Sequence, residues 1–215
     1  PRCCVDLGAG PGFLARSLHR ALEAERTVGL EFSQRFVAYG QRDLPAGIEL
    51  LQHDVTTSLP VAGDVVVARF LLTHLSNPLA SLRIWRASEP LLLVLEELVQ
   101  VSADLPVLQR YYELVATVQR SAGQDMHIGS RLADLAASAG FAVESHRVQR
   151  LELSLQAMAR LHALSLPTLR QLRVVTQQFA ERELDAMQRA LEELASDRTG
   201  GCVHVDMARC RAVTA

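Results

Sequence analysis

The stretch from Val5 to Gly12, Val-Asp-Leu-Gly-Ala-Gly-Pro-Gly, constrains the fold of this chain more than any other. It begins as an apolar run typical of a buried strand and continues into a turn rich in glycine. Apolar residues at helical spacing follow from Phe13 to Leu22. A strand, a glycine turn and a helix in this order indicate a site for a nucleotide-like cofactor. The dinucleotide fingerprint G-x-G-x-x-G is not matched, since Phe13 stands where its third glycine belongs, and this places NAD below other cofactors.

Short apolar stretches then alternate with helical patterns along the chain. The predicted strands lie at 3–6, 27–31, 48–54, 64–70, 91–95, 141–155 and 202–213. Ser33 is expected to cap the helix that runs to Gln41, and Asn77 or Ser76 with Pro78 is expected to open the helix that runs to about Ala87. Strands alternating with helices predict an α/β fold with a doubly wound, mostly parallel sheet. By length we expect a single domain over residues 1–215.

The charge balance argues against polyanionic partners. With 22 basic and 24 acidic residues the net charge is -2, so nothing draws the chain to nucleic acid or to an anionic membrane. Arg83, Trp85 and Arg86 are interpreted as part of a solvated helix face. No run of about 20 apolar residues is present, and the first residues have neither the charged nor the apolar region of a signal peptide, so a cytoplasmic location is predicted.

The four cysteines, Cys3, Cys4, Cys202 and Cys210, form no Cys-x-x-Cys pair and have no histidine at the spacing of zinc ligands. We expect them to be reduced, buried and structural. No metal site is predicted.

Acidic residues follow the second and third predicted strands. Glu31 lies about 20 residues beyond the last glycine of the turn, where α/β nucleotide folds place the carboxylate that binds the ribose hydroxyls. The alternative is an ordinary exposed glutamate. Asp54 is a candidate acceptor for an exocyclic amine, and the alternative is that it only caps the turn at Thr56 and Thr57.

Three residues, after two of the predicted strands, are candidates for proton transfer. His74 follows the fourth strand and titrates near neutrality, although a packed or capping histidine is the alternative. Glu96 and Glu97 follow the fifth strand at the ligand edge of the sheet. For these adjacent acids the alternative is that one faces solvent and the other caps a helix.

Helical patterns at 103–139 and 156–197 are interpreted as a cap inserted into the domain, with the second region broken at Pro167. Tyr111 and Tyr112 are candidates for a substrate roof, with core packing as the alternative. An apolar stripe in the second region is expected to be core, or else the face of a homodimer, and comprises Leu169, Leu172, Val175, Phe179, Leu184, Met187, Leu191 and Leu194.

Taken together, these residues resemble a class I S-adenosylmethionine-dependent methyltransferase over nearly the whole chain. The matching pieces, in order, are Val5 to Gly12 as first motif, Glu31 as ribose-binding acid, His53-Asp54-Val55 as adenine motif, Ala68 to Pro78 as fourth motif, and Ala139-Gly140-Phe141 before the sixth strand. The fourth motif resembles that of the small-molecule branch, as in ubiquinone and menaquinone methyltransferases. It lacks the Asn-Pro-Pro-Tyr type of signature that marks methylases of nucleic acid bases and glutamines.

The resemblance implies a seven-stranded sheet with an antiparallel last strand and a site for S-adenosyl-L-methionine. The resemblance implies that Asp6, Gly8 and Gly10 contact the methionine moiety and that Glu31 contacts the ribose. Phe32 and Val55 would lie on the faces of the adenine, and Asp54, next to His53 in the adenine motif, would contact the amino group of the adenine. Arg69 and Phe70 would lie near the sulfonium.

The activity implied is methyl transfer to a small organic metabolite, without nucleic acid or membrane as partner. A protein of the same fold that binds a metabolite or catalyses a reaction such as a cyclisation is the alternative. A segment before Pro1 is also expected, since such a segment often closes over the cofactor in this family. Residues 1–215 are therefore expected to bind the cofactor weakly.

Overall fold

The computed structural model describes residues 1–102, 104–197 and 200–214. Ala103, where the predicted cap begins, and Ala215, where the predicted domain ends, lie outside the described residues.

A single sheet of seven strands runs in the order β3-β2-β1-β4-β5-β7-β6. The strands are β1 (Cys3–Leu7), β2 (Arg26–Glu31), β3 (Ile48–Gln52), β4 (Val65–Arg69), β5 (Leu92–Ser102), β6 (Phe141–Ser154) and β7 (Cys202–Thr214). The first five pair in parallel. The centre of the sheet is buried, and β1 and β4 are nearly continuous apolar segments, as parallel strands covered on both faces require.

The last strand runs antiparallel to β5. The Thr214 hydroxyl at the end of β7 donates to the Pro90 carbonyl just before β5, while Arg209 pairs with Glu96 farther along β5. Residue numbers therefore increase in opposite directions along the two neighbouring strands. The predicted doubly wound α/β sheet of seven strands, mostly parallel, is confirmed.

Eight α-helices connect the strands in the described residues. They are α1 (Phe13–Ala21), α2 (Gln34–Gly40), α3 (Pro78–Arg86), α4 (Pro106–Ser121), α5 (Leu132–Ser138), α6 (Leu155–Leu169), α7 (Arg173–Gln178) and α8 (Glu181–Ser196). Asn77 caps α3 by accepting the Ala80 N–H at 3.1 Å, as predicted. Ser33 precedes α2, but its side chain makes no capping bond. None of the helices in the described ranges is long and apolar enough to cross a bilayer.

Two boundaries differ from the prediction. β5 extends to Ser102, so Glu96 and Glu97 lie within the strand rather than after it. Pro167 lies inside α6, which ends two residues later. A proline leaves the carbonyl four residues earlier without its helical donor, here that of Ala163. The side-chain amide of Gln188 in α8 donates to this carbonyl at 3.1 Å, so the carbonyl has a donor that Pro167 cannot supply.

The chain divides into two compact units. The first comprises 1–97, 128–147 and 208–215, and the second comprises 98–127 and 148–207, so the boundaries fall within β5, β6 and β7 and in the loop after α4. Residues 128–147, including α5, belong to the first unit although the sequence placed 128–139 in the cap. Within this unit α5 packs on α3.

The second unit has its own apolar core. Five residues of the predicted stripe are buried in it, namely Val175, Phe179, Leu184, Met187 and Leu191. They pack with Leu108 and Tyr111 of α4 and with Val203 of β7. The interpretation as core is confirmed for these five residues, whereas Leu172 is exposed, and a homodimer stays a prediction.

Two side chains are placed differently from expectation. Trp85 is fully buried rather than part of a solvated face, and its indole N–H donates to the Val55 carbonyl at 2.8 Å. Cys202 is exposed, whereas Cys4 and Cys210 are buried as predicted. Ser81 and Leu82 on the same helix are also buried, so Trp85 belongs to the buried face of α3.

Replacing Trp85 with phenylalanine keeps most of the buried ring but leaves the Val55 carbonyl without a donor. We expect W85F to lower the free energy of unfolding by about 1–3 kcal/mol, measured by urea denaturation. Leu91→Ala is the control, because Leu91 is 68% exposed and its removal should change stability by no more than about 0.5 kcal/mol. Equal effects of the two substitutions would contradict the role of the bond.

Candidate cofactor-binding site

The glycine turn lies at the carboxyl ends of β1 and β2. Its first two peptide N–H groups, of Gly8 and Ala9, donate to the Leu30 carbonyl at 2.8 and 3.1 Å. Farther along the turn, the Gly12 N–H donates to the Ala9 carbonyl at 2.9 Å. These bonds fold the turn back over the end of β2, where α/β sheets collect their ligands.

Glycine is required in the turn for two reasons. Gly8 has φ +68°, and a Cβ there would lie 2.9 Å from Leu71 Cδ1. Gly10 has φ +54° but open space around it, so only its left-handed backbone favours glycine.

Glu31, the last residue of β2, binds the turn through its side chain. Oε2 accepts the Gly10 N–H at 2.9 Å, and Oε1 accepts the Ser33 N–H at 2.7 Å. The carboxylate thus fixes the turn on one side and the start of α2 on the other. Since a carboxylate accepts about four hydrogen bonds, each oxygen keeps acceptor capacity for a ligand.

A cavity of about 440 Å³ opens beside the turn in the first unit. Four predicted site residues line it, namely Asp6, Gly8, Arg69 and Phe70. Four further lining residues were not predicted, namely Ala9, Phe13, Leu14 and Ser17. The sequence could have indicated Phe13 and Leu14, because the first turn of a helix that follows such a glycine turn lies at the ligand edge of the sheet.

Asp6 is almost completely buried at the end of β1. Its Oδ2 atom has no hydrogen-bond partner among the described residues. Burial raises the pKa of Asp6 to about 7, against the opposing effects of the Ala15 backbone N–H and the Arg69 charge. The site therefore contains a buried acid whose charge responds to a cation placed next to it.

Arg69 ends β4 and belongs to a chain of charged groups. Its Nε lies 3.5 Å from Glu96 Oε2, and Arg209 of β7 pairs with the other oxygen of Glu96. Arg69 also lies over the Phe70 ring, with 5.2 Å from its Cζ to the ring centroid. Phe70 has φ +52°, a strained backbone for a residue with a side chain, held by the bond from its N–H to the Glu96 carbonyl.

The predicted adenine residues lie outside this cavity. Asp54 Oδ1 accepts both the N–H and the hydroxyl of Thr56, at 2.9 and 2.7 Å, which lowers the pKa of Asp54. It therefore does cap the turn, as the alternative held, while the amine contact stays a prediction. Phe32 is 73% exposed, Val55 is buried, and His53 Nε2 lies 3.0 Å from the Ser58 carbonyl.

Glu97, one residue beyond Glu96, is a buried carboxyl group. It accepts the Leu72 N–H at 2.6 Å and also the N–H groups of Leu71 and Thr73, which anchors the short 3-10 helix Leu72–His74. These hydrogen bonds lower the pKa of Glu97, but the effect of burial is larger and raises it to about 7. His74 is exposed on the same short helix and does not line the cavity.

The second unit contains a polar cluster of its own. The Tyr112 hydroxyl lies 2.8 Å from His162 Nε2, and the Tyr111 ring stacks on His162 with centroids 4.1 Å apart. Burial lowers the pKa of His162 to about 4 and raises that of Tyr112. Tyr111 is thus part of the core, while Tyr112 lines a separate cavity of about 480 Å³ within this unit.

Residues 4–88 match the sequence profile of a family described as methyltransferase domain. The matched region includes the glycine turn, Glu31, Asp54, Arg69 and helix α3. A sequence search of curated proteins found no match.

Solved structures resemble the chain over nearly its whole length. The YcgJ protein from Bacillus subtilis is 14% identical with a TM-score of 0.64, the match covering 99% of this chain and 92% of that one. The cyclase SpnF is 20% identical with a TM-score of 0.58, covering 99% and 75%. The chain has the class I methyltransferase fold.

A third structure is phosphoethanolamine N-methyltransferase 2 from Haemonchus contortus in complex with S-adenosyl-L-methionine. It is 14% identical with a TM-score of 0.55. The match covers 99% of this chain but only 48% of the Haemonchus protein, so this chain spans about half of that protein's length.

The raised pKa values of Asp6 and Glu97 predict a pH-dependent stability. Between about pH 4 and pH 7 the folded protein holds two protons that the unfolded chain has lost, so its stability falls as pH rises. Each group contributes up to about 1.4 kcal/mol per pH unit. We expect Glu97→Gln to make the decline shallower, measured by urea unfolding across this range. An unchanged slope would contradict the assignment.

Proposed function

We propose that the chain is an S-adenosyl-L-methionine-dependent methyltransferase that acts on a small organic metabolite. The observation that carries the proposal is the pair of hydrogen bonds from Gly10 and Ser33 to the Glu31 carboxylate, beside a cavity that contains Asp6. The methyltransferase profile over residues 4–88 supports the same cofactor and reaction, as does a relative of this fold in complex with S-adenosyl-L-methionine.

The charge at the turn distinguishes this cofactor from a dinucleotide. A pyrophosphate needs free backbone N–H groups, but the Gly10 N–H already donates to Glu31. The Glu31 carboxylate accepts the hydroxyls of a ribose, which both kinds of cofactor carry. The buried Asp6 likewise favours a cationic ligand over an anionic one.

Six of the predicted residues then have a defined task. Glu31 accepts the ribose hydroxyls with its remaining lone pairs. Asp54 retains Oδ2 for the adenine amine, and the exposed Phe32 ring offers a face to the base. Gly8 and Gly10 let the backbone approach the methionine moiety. Phe70 lines the cavity near the methyl group and excludes water from it.

When bound, the cofactor supplies an electrophilic methyl group on a sulfonium. The chain contributes position and the exclusion of water, because an in-line displacement depends first on holding the nucleophile about 3 Å from the methyl carbon. A base is needed only when the acceptor must lose a proton. His74 and Glu96 stay the candidates, and the pairing of Glu96 with Arg69 and Arg209 favours His74.

A reaction without methyl transfer is the second candidate. The observation that favours it is the similarity to the cyclase SpnF, at 20% identity. Four statements stay predictions from the sequence: the ubiquinone-type branch, the cytoplasmic location, the homodimer and the cap formed by the second unit.

Incubation of the protein with methyl-labelled cofactor and a mixture of small metabolites separates the two candidates. We expect S-adenosylhomocysteine and a labelled metabolite to form. Cofactor binding without any turnover would favour the second candidate. Absence of both binding and turnover would contradict the cofactor assignment itself.

Gly8→Val tests the position of the site. The added side chain meets Leu71 and adopts an unfavourable φ, so we expect loss of cofactor binding by at least about 10-fold, measured by calorimetry. Gly123→Val is the matched control, since Gly123 also has a positive φ, +71°, but open space around it. His74→Ala should keep cofactor affinity even where activity falls. Unchanged affinity in Gly8→Val would overturn the site.

A further inference from the structure

Helix α6 in the second unit is apolar on two opposite faces. Ala159, His162 and Leu166 are buried on the inner face. On the outer face Leu161 is 55% exposed and Leu164 is 74% exposed, which makes Leu164 the most exposed large apolar side chain in the described residues. A helix that is apolar all round is normally covered on every side, so a partner is expected for the outer face of α6.

The exposed residues of α6 follow a regular spacing. Ala157, Leu161, Leu164 and Thr168 are all exposed, at intervals of four, three and four residues. Alternating intervals of this kind define the line along which two helices pack side by side in a coiled coil. We call these four residues the outer seam. Single exposed leucines are common on protein surfaces, whereas a repeat of this period is the pattern of a helix–helix contact.

A groove lies beside the outer seam, between α6 and α8. The two helices are antiparallel, since the Gln188 amide donates to the Ala163 carbonyl at 3.1 Å and Arg170 pairs with Asp185 at 2.7 Å. The groove has a volume of about 640 Å³, and its small side chains leave space for the leucine ridge of another helix. Its lining residues are Arg160, Ala163, Leu164 and Pro167 on α6 and Gln188, Glu192, Ala195 and Ser196 on α8.

The groove carries one positive and one negative side chain at the same level. Arg160 lies three residues before Ala163, and Glu192 lies four residues after Gln188 on the antiparallel helix. With a rise of about 1.5 Å per residue, both charges are therefore near one level along the groove. Within the described ranges Arg160 has no ion pair, so its charge is available to a partner.

This charge pattern fits a second copy of the chain better than a charged partner. One arginine and one glutamate give the groove no net charge, so it does not attract a polyanion or a polycation. A two-fold pair matches each positive group with the negative group of the other copy, as an isologous interface requires. When the two-fold axis runs along the helices, Arg160 of each copy comes level with Glu192 of the other.

We propose that the α6–α8 groove is the interface of a homodimer, in which two α6 helices pack in parallel along their outer seams. Leu164 of each copy enters the groove of the other, and Arg160 pairs with Glu192 across the interface. This surface differs from the apolar stripe offered by the sequence as a dimer face, five residues of which are core. The inference does not depend on the proposed function.

Sedimentation equilibrium of the chain and its variants tests the interface. We expect a dimer at micromolar concentration. Leu164→Glu should raise its dissociation constant by at least about 10-fold, because two added carboxylates meet at the seam. Leu91→Glu is the matched control, since Leu91 is 68% exposed but does not belong to α6, and it should change the constant by less than about twofold. Circular dichroism checks that both variants keep the fold.

A charge exchange tests the pairing across the interface. Arg160→Glu should also weaken the dimer by about 10-fold, because it brings two acids to one level, and adding Glu192→Arg should restore it. A chain that stays monomeric at micromolar concentration would overturn the proposal and leave the outer seam to a different partner. A dimer that Leu164→Glu does not weaken, or a double variant as weak as Arg160→Glu alone, would overturn it as well. None of these results bears on cofactor binding.

Discussion

The contact of the Glu31 carboxylate with the Gly10 and Ser33 N–H groups is the interaction on which the site depends. It joins the glycine turn after β1 to the start of α2 after β2, so two loops at the same sheet edge take up one arrangement. It also sets the sign of the charge at the turn. The Gly10 N–H is taken by the carboxylate, whose remaining lone pairs favour hydroxyl groups and a cationic cofactor.

Buried acids support the rest of this edge. Asp6, next to last in β1, has an oxygen without a partner among the described residues, and Glu97 in β5 anchors the short helix after β4 through backbone N–H groups. Burying a carboxyl group costs stability unless it keeps its proton or finds a partner. Asp6 lies at the ligand edge of the sheet and lines the cavity. This is the expected place for a buried acid whose partner is a ligand.

The sequence was sufficient for the parts of the fold that depend on local pattern. The glycine turn, the alternation of strands and helices, and Glu31 one strand later follow from spacing alone, and with the resemblance they gave the sheet correctly. Long-range contacts were beyond reach. Arg209 meets Glu96 across 113 positions, Gln188 compensates Pro167, and Trp85 turns inward to the Val55 carbonyl. Each depends on the packing of distant elements, which no local pattern encodes.

The most direct test of this account is a crystal structure of the chain with S-adenosylhomocysteine. The account predicts the ribose hydroxyls on the Glu31 carboxylate and the methionine moiety beside the glycine turn and Asp6. A nucleoside bound elsewhere, or bound with its ribose away from Glu31, would contradict it.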